Sequence, residues 1–410
     1  MLQIEKKKKR RVRGRFALVM GVLLAVGVGG ILAYDRFALR TDSPEVKTAS
    51  QVKPQLIPSR VESRMLVMGD TFWGRYTHDW SMASPLKYAY PFSGLHTFER
   101  DRYDAWIADI VCPVTNNPKT SSAVQEATLT FDCEPKYLPE AKKWFTVFDV
   151  ANNHTDNQGY EGLVESRKLF DAHGIQYFGS YDPEEYDHLC DVISTPARAT
   201  MSDGTVQHVK LPIVWCGYHG VFKTPSSDSL AVMQRYTPYF PVITIPHSGA
   251  EYVAQPDEIK QQLYRQLIDG GADVAIGDHS HWVQTTEAYK GHLITYSLGN
   301  FMFDQQFNRE VTRSAVLDMT VSVDAKDNSD LAKWIALGAT CASYQDTCLT
   351  RAKEQDLRKL VLKYHFQMIG SDDSNKLVKK MTDPAHIADM KNRLRWAETV
   401  KGLSGNNSGE

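Results

Sequence analysis

The chain has 410 residues, 42% of them hydrophobic, enough for one large core or two modest ones. Its formal net charge is −2, but residues 1–15 hold eight basic residues and one acidic residue. The 39 basic and 48 acidic residues that remain carry −9, which speaks against nucleic acid as a partner and makes the basic run a topology signal.

Phe16 to Tyr34 then runs 19 residues without a charge, just enough helix to cross a bilayer core of about 30 Å. The basic flank predicts a single-pass anchor in the cell membrane with a cytoplasmic N-terminus, and places everything after Asp35 outside. A cleaved signal peptide has a shorter apolar region, about 7 to 15 residues, so an uncleaved anchor is the expectation. Residues 35–62 read as a Ser-, Pro-, Lys- and Thr-rich tether. Six cysteines follow the anchor: Cys112, Cys133, Cys190, Cys216, Cys341 and Cys348. They fit an oxidising compartment. Sequence does not choose among their pairings; nearest-neighbour pairing (112–133, 190–216, 341–348) is the expectation. No CxxC pair is present, which argues against a thiolate zinc site.

The folded domain is expected over 63–345. Arg64–Met68 reads as its first strand and ends at Gly69-Asp70. Tyr103–Val111 reads as helix or strand into a turn at Pro113, and Trp144–Val150 as a buried strand running into Ala151-Asn-Asn-His154. Gly162–His173 has helical spacing and stops at Gly174. Ile175–Phe178, Leu211–Trp215 and Val242–Ile245 are further strands, the last delivering His247. Ile259–Ile268 is an amphipathic helix, and Asp273–Ile276 a buried strand that ends in Gly277-Asp-His-Ser-His281. Ala315–Val323 alternates as a half-exposed strand. Residues 346–402 read as C-terminal helices (Lys353–Met368 and Pro384–Val400), and 403–410 as a frayed tail.

Asp70, Asn153-His154, His247 and His279/His281 thus fall on consecutive strand ends, where α/β sheets place ligand groups. Oxygen and imidazole donors together suit Mn, Zn or Fe better than Mg or Ca. Paired divalent ions a few ångströms apart serve phosphoester hydrolysis.

Five strings carry a resemblance: Met68-Gly-Asp70 with Arg75; Ala151-Asn-Asn-His154; His247-Ser-Gly-Ala-Glu-Tyr252; Gly277-Asp-His-Ser-His-Trp-Val-Gln284; and Tyr296-Ser-Leu-Gly-Asn-Phe-Met-Phe-Asp304. In this order, across residues 63–323, they resemble the bacterial capsule-synthesis, poly-γ-glutamate synthesis protein A (CapA/PgsA) family. Its fold is similar to that of calcineurin-like metallophosphoesterases. The resemblance implies an α/β fold of two sheets packed between helices, a four-layer αββα sandwich. It also implies a role in capsule or exopolymer biosynthesis through a metal-dependent hydrolytic or transfer step on an anionic polymer or phosphoester substrate. By resemblance Asp70, Asn153, His247, His279 and His281 hold one or two divalent ions. His154 assists the reacting phosphate as a catalytic residue, and Arg75 pairs with a carboxylate or phosphate. Glu251, Asn300 and Asp304 line the same cleft.

One position departs from the family. Asn-Leu-Glu usually precedes Cys-Pro-Val-Thr, but this chain reads Asp109-Ile-Val111-Cys-Pro-Val-Thr115. Asp109, two residues before Val111 and expected on the same strand face, is the candidate replacement ligand. The alternative function is a non-catalytic accessory or polymer-binding subunit of a capsule synthesis complex, its metal site decayed. A third is a polymer-processing peptidase or amidase on the same scaffold.

Overall fold

The computed structural model describes residues 56–341 and 345–410. The basic segment, the expected anchor and most of the tether lie outside these residues. Among the described residues no helix is long and apolar enough to cross a membrane.

The fold is a mixed α/β structure organised around one long strand, β1 (Pro58–Thr71). Its first half pairs antiparallel with β5 (Cys190–Met201), and its second half pairs parallel with β2 (Ala105–Ile110). β12 (Arg313–Asp324) runs antiparallel along the other edge of both halves. From β2 the sheet continues in parallel through β3 (Val147–Asp149) to β4 (Gln176–Phe178). From β5 it continues through β6 (Val206–Gly220), β7 (Val242–Ser248), β8 (Val274–Ile276) and β10 (His292–Thr295) to the edge strand β9 (Thr286–Tyr289). β11 (Asn300–Met302) pairs with the end of β1. Beyond β12 lie β13 (Lys363–Asp372), β14 (Lys379–Lys380) and β15 (Asn407–Gly409).

Side-chain alternation along β1, β2 and β3 divides the interior into two cores. Met65, Val67, Ala105, Ile107 and Val147 face one, which is shared with β5 to β8 and with the helices Glu258–Asp269 and Leu331–Cys341. Leu66, Met68, Trp106, Ala108 and Phe148 face the other, an aromatic core closed by Trp73, Phe92, Phe131 and Phe145. Cys112–Cys133, Cys190–Cys216 and Cys341–Cys348 are bonded, the nearest-neighbour arrangement. Cys190 and Cys216 are direct partners across the β5–β6 ladder.

Several elements differ from expectation. β1 begins at Pro58 because Val61 reaches the core while Ser59, Arg60 and Glu62 pair outward. β12 is covered rather than half-exposed. It lies between β1 and β13, and its polar Asp318 is buried, accepting from Arg64 at 2.9 and 2.5 Å and from the Tyr103 hydroxyl at 3.2 Å. The expected helix over Lys353–Met368 ends at Glu354. Its second half is β13, where Tyr364, Phe366 and Met368 alternate with Lys363, His365 and Gln367, a period of two. Pro384–Val400 is two helices, broken where Arg395 adopts φ 55°. The C-terminus is no frayed tail: Asn407–Gly409 pairs with β13, and the Trp396 indole donates to the Glu410 carbonyl at 2.7 Å.

Candidate metal centre

β1, β2 and β3 run parallel and deliver Asp70, Asp109 and Asn152-Asn153 at their C-terminal ends. β7 and β8, from the other parallel set, deliver His247, His279 and His281. The two sets meet at His247. Its Nδ1 lies 2.7 Å from Asp109 Oδ2, and its Nε2 lies 2.9 Å from Asn153 Oδ1 and 3.2 Å from His279 Nδ1. Asp70 Oδ1 is 3.8 Å from His247 Nδ1. One ligand atom each from Asp70, Asp109 and His247 falls within 4.8 Å of the others, a grouping that fits a metal ion.

The local backbone is shaped for this approach. The β1–β2 register slips between Met68 and Asp70, and a Cβ on Gly69 would stand 2.1 Å from the Gly299 carbonyl oxygen, so only glycine lets β1 carry Asp70 inward here. His279 and His281 hold φ of 84° and 56°, left-handed conformations that cost non-glycine residues energy and concentrate at functional sites.

Hydrogen bonding tests whether the residues suit a cation. Asp109 Oδ1 accepts from Asn152 Nδ2 at 2.7 Å, which leaves its Oδ2 to pair with His247 Nδ1. Burial, opposed mainly by the charge of Asp70, pulls His247 down to about 4, so the ring is neutral and one of its two nitrogens offers a lone pair. Asp70 Oδ2 is buried and faces His281 Nδ1 at 3.3 Å. Burial and the Asp70 charge raise Asp109 well above the usual carboxylate range, and burial pushes His279 well below its ordinary value. The site gathers carboxylate, amide and imidazole donor atoms in one buried place, the character of a ligand shell.

The remaining expected residues fall around this cluster. Burial opposes charge on His281, but the hydrogen bond and charge of Asp70 raise it; its Nδ1 is 3.3 Å from Asp70 Oδ2 and 2.7 Å from Asn300 Oδ1. Asn300 donates to the Val311 carbonyl and to Gln305, which fixes its oxygen towards His281. Glu251 Oε1 is 3.9 Å from His281 Nε2, with its side chain 40% exposed. The His154 ring stacks on Phe131 at 3.9 Å, and burial lowers it to about 3. Arg75 and Asp304 do not join the cluster. They form a bidentate ion pair at 2.9 and 2.5 Å, with the Asp304 carboxylate also accepting from Tyr76 N at 3.1 Å.

Asp109 joins the centre, but not for the reason of a face shared with Val111. β2 ends at Ile110, and beyond it Val111, Cys112 and Val114 turn into the aromatic core while Asp109 faces His247. The alternation that would have aligned Asp109 and Val111 stops one residue too early. Sequence reasoning missed Asn152, which stands inside the Asn-Asn-His string and orients Asp109. It also missed Lys260 and Asp278. Lys260 occupies the buried stripe of its helix with Leu263, Tyr264 and Leu267, a charged residue at an apolar position that the spacing itself displays.

Residues 64–201 and 231–305 match the family profile described as "Bacterial capsule synthesis protein PGA_cap". The chain belongs to the bacterial capsule synthesis protein family. It is 27% identical over 333 residues to the "PGA biosynthesis protein CapA" of Bacillus subtilis (strain 168), covering 77% of this chain and 79% of that one. It is 24% identical over 318 residues to the "Capsule biosynthesis protein CapA" of Bacillus anthracis, covering 74% and 72%. Within this family member, Asp70, Asp109 and His247 are the grouping that could hold a metal ion.

Proposed function

We propose that this protein acts in capsule or exopolymer biosynthesis, of the poly-γ-glutamate kind named for its relatives, as a metal-dependent hydrolase or transferase of phosphoester type. The reading includes an anchor at residues 16–34, the domain outside the membrane, and the four-layer αββα arrangement of metallophosphoesterase-like folds. The observation that supports it is the buried grouping of Asp70, Asp109 and His247, one ligand atom from each within 4.8 Å of the others.

Asp70, Asp109, Asn153, His247, His279 and His281 would hold the ion. A divalent ion there supplies an acidified water and a Lewis acid for a phosphoryl oxygen. The chain's own residues do the rest. Asn152 holds Asp109, and Asp109 Oδ2 positions the His247 ring through its Nδ1. Asn157 Oδ1 accepts from Phe131 N at 2.8 Å and faces His154 Nδ1 at 2.9 Å, so His154 donates there and presents Nε2 as a proton acceptor. To act as general acid His154 must first gain a proton, which an anionic phosphate bound beside it favours. Tyr252, stacked on His281 with centroids 5.3 Å apart, and Phe303 at 5.2 Å wall the cleft.

The test is hydrolysis of bis(p-nitrophenyl) phosphate by the purified chain with Mn(II) or Zn(II). Activity should vanish with EDTA, and His154→Asn should lower kcat about 100-fold or more with bound metal unchanged. Metal bound stoichiometrically without turnover of phosphodiester, phosphomonoester or γ-glutamyl amide substrates would leave the accessory reading. The burial of Val111, where the family resemblance implies Glu, favours that second reading.

A further inference from the structure

We propose that Asp278 is a further carboxylate of the cation site, supplying negative charge that Val111 does not; this rests on the metal-centre reading above. Asp278 stands at the end of β8 between Gly277 and His279, fully buried. It forms a parallel β-bridge with His247, and residues paired across such a bridge project to the same side, so its side chain leaves the sheet on the side of the His247 imidazole. A Cβ built on Gly69 would come within 2.8 Å of Asp278 Oδ1. The carboxylate therefore fills the space that Gly69 leaves open, one residue from Asp70.

Neither Asp278 oxygen has a hydrogen-bond partner among the described residues. Buried polar groups are almost always partnered, and an unpaired buried carboxylate is among the most costly groups a fold can carry. The fully buried Lys260 does not answer it by contact, because its Nζ donates to the Asp278 backbone carbonyl at 3.1 Å and leaves the carboxylate unpaired. A cation on the Asp70–His247 side would complete it. Lys260 sets the charge behind it: a positive group beneath the loop opposes a second positive group at the site.

The test uses the full chain stripped with EDTA and titrated with Mn(II) and Zn(II). It reads bound ion per chain by plasma mass spectrometry, Kd by calorimetry, and Tm in EDTA. Asp278→Asn should weaken ion binding about 10- to 100-fold while its Tm in EDTA equals or exceeds that of wild type, since an unpaired buried charge has been removed. A purely structural aspartate would move Tm and leave Kd alone. Lys260→Met, which keeps the Asp278 carboxylate, should bind the ion more tightly. Asp278→Asn binding within about twofold of wild type, while Asp109→Ala loses the ion, overturns the inference and leaves the metal centre standing. Unchanged or weaker binding by Lys260→Met counts against it in the same way, and serves should Asp278→Asn fail to fold. Absence of bound ion in wild type overturns the metal-centre reading, and this inference with it.

Discussion

Two buried charged clusters lie at the ends of the same strands and are built on opposite plans. Around Arg75 the groups answer one another. The guanidinium pairs bidentately with Asp304, its remaining arm lies 3.0 Å from Glu126, and its plane lies 4.5 Å from the Phe131 ring. Around His247 the groups do not. Asp278 keeps two oxygens without a hydrogen-bond partner among the described residues, and Asp70, Asp109 and His247 crowd their ligand atoms together. Burial of charge is common to both, so burial alone does not mark a site. Incomplete satisfaction does, because a fold tolerates unpaired lone pairs where something from outside completes them. The closed cluster is architecture, and Phe131, in contact with both Arg75 and His154, is where it braces the open one.

Each way of breaking this contrast has its own size. Val111→Glu should have the largest effect. It places an unpaired carboxylate in the aromatic core behind the closed cluster, costs more than about 4 kcal/mol, and gains no metal, as urea unfolding and metal analysis would show. Arg75→Met leaves Asp304 buried without its cation and should cost about 3–5 kcal/mol, while bound ion per folded chain stays at the wild-type value. Replacing Cys112 and Cys133 together with Ala releases the segment that carries Phe131. It should cost about 2–4 kcal/mol and lower turnover more than metal affinity. The smallest effect is pH dependence. Burial and the Asp70 charge raise Asp109, and a cation entering beside it favours its charged form, so ion binding is linked to proton release. Affinity should therefore fall as pH is lowered, with His247, pulled down to about 4, competing only in acid. Calorimetry in two buffers of different ionisation enthalpy should register the released proton.

Much of the open cluster was legible in the sequence, because strand-end Asp and His residues after short apolar runs are a local signal. The same holds for the helix that stops at Gly174, whose φ of 71° is the left-handed cap expected of glycine. The nearest-neighbour disulfides also stand. What sequence hid depends on tertiary partners. The first half of β1 is polar on alternate positions and looks like tether until β5 and β12 cover it. β13 continues from a true helix through a run with no turn signal strong enough to separate them. Its period of two was readable in Tyr364, Phe366 and Met368 but was outweighed by the helical spacing before it. Asp109 was reached through a wrong premise about Val111, since β2 ends at Ile110 and Val111 turns into the aromatic core. Asp278 gave no signal beyond its place in the motif, because an orphaned carboxylate is visible only when its surroundings are.

The contrast between the two clusters meets its most direct test in calorimetric titration of the EDTA-stripped chain with Zn(II). Wild type and Asp304→Asn should bind the ion with similar affinity and release a proton, whereas Asp109→Ala and His247→Ala should lose most of the binding. Equal binding by wild type and Asp109→Ala, or none by wild type, would contradict the account.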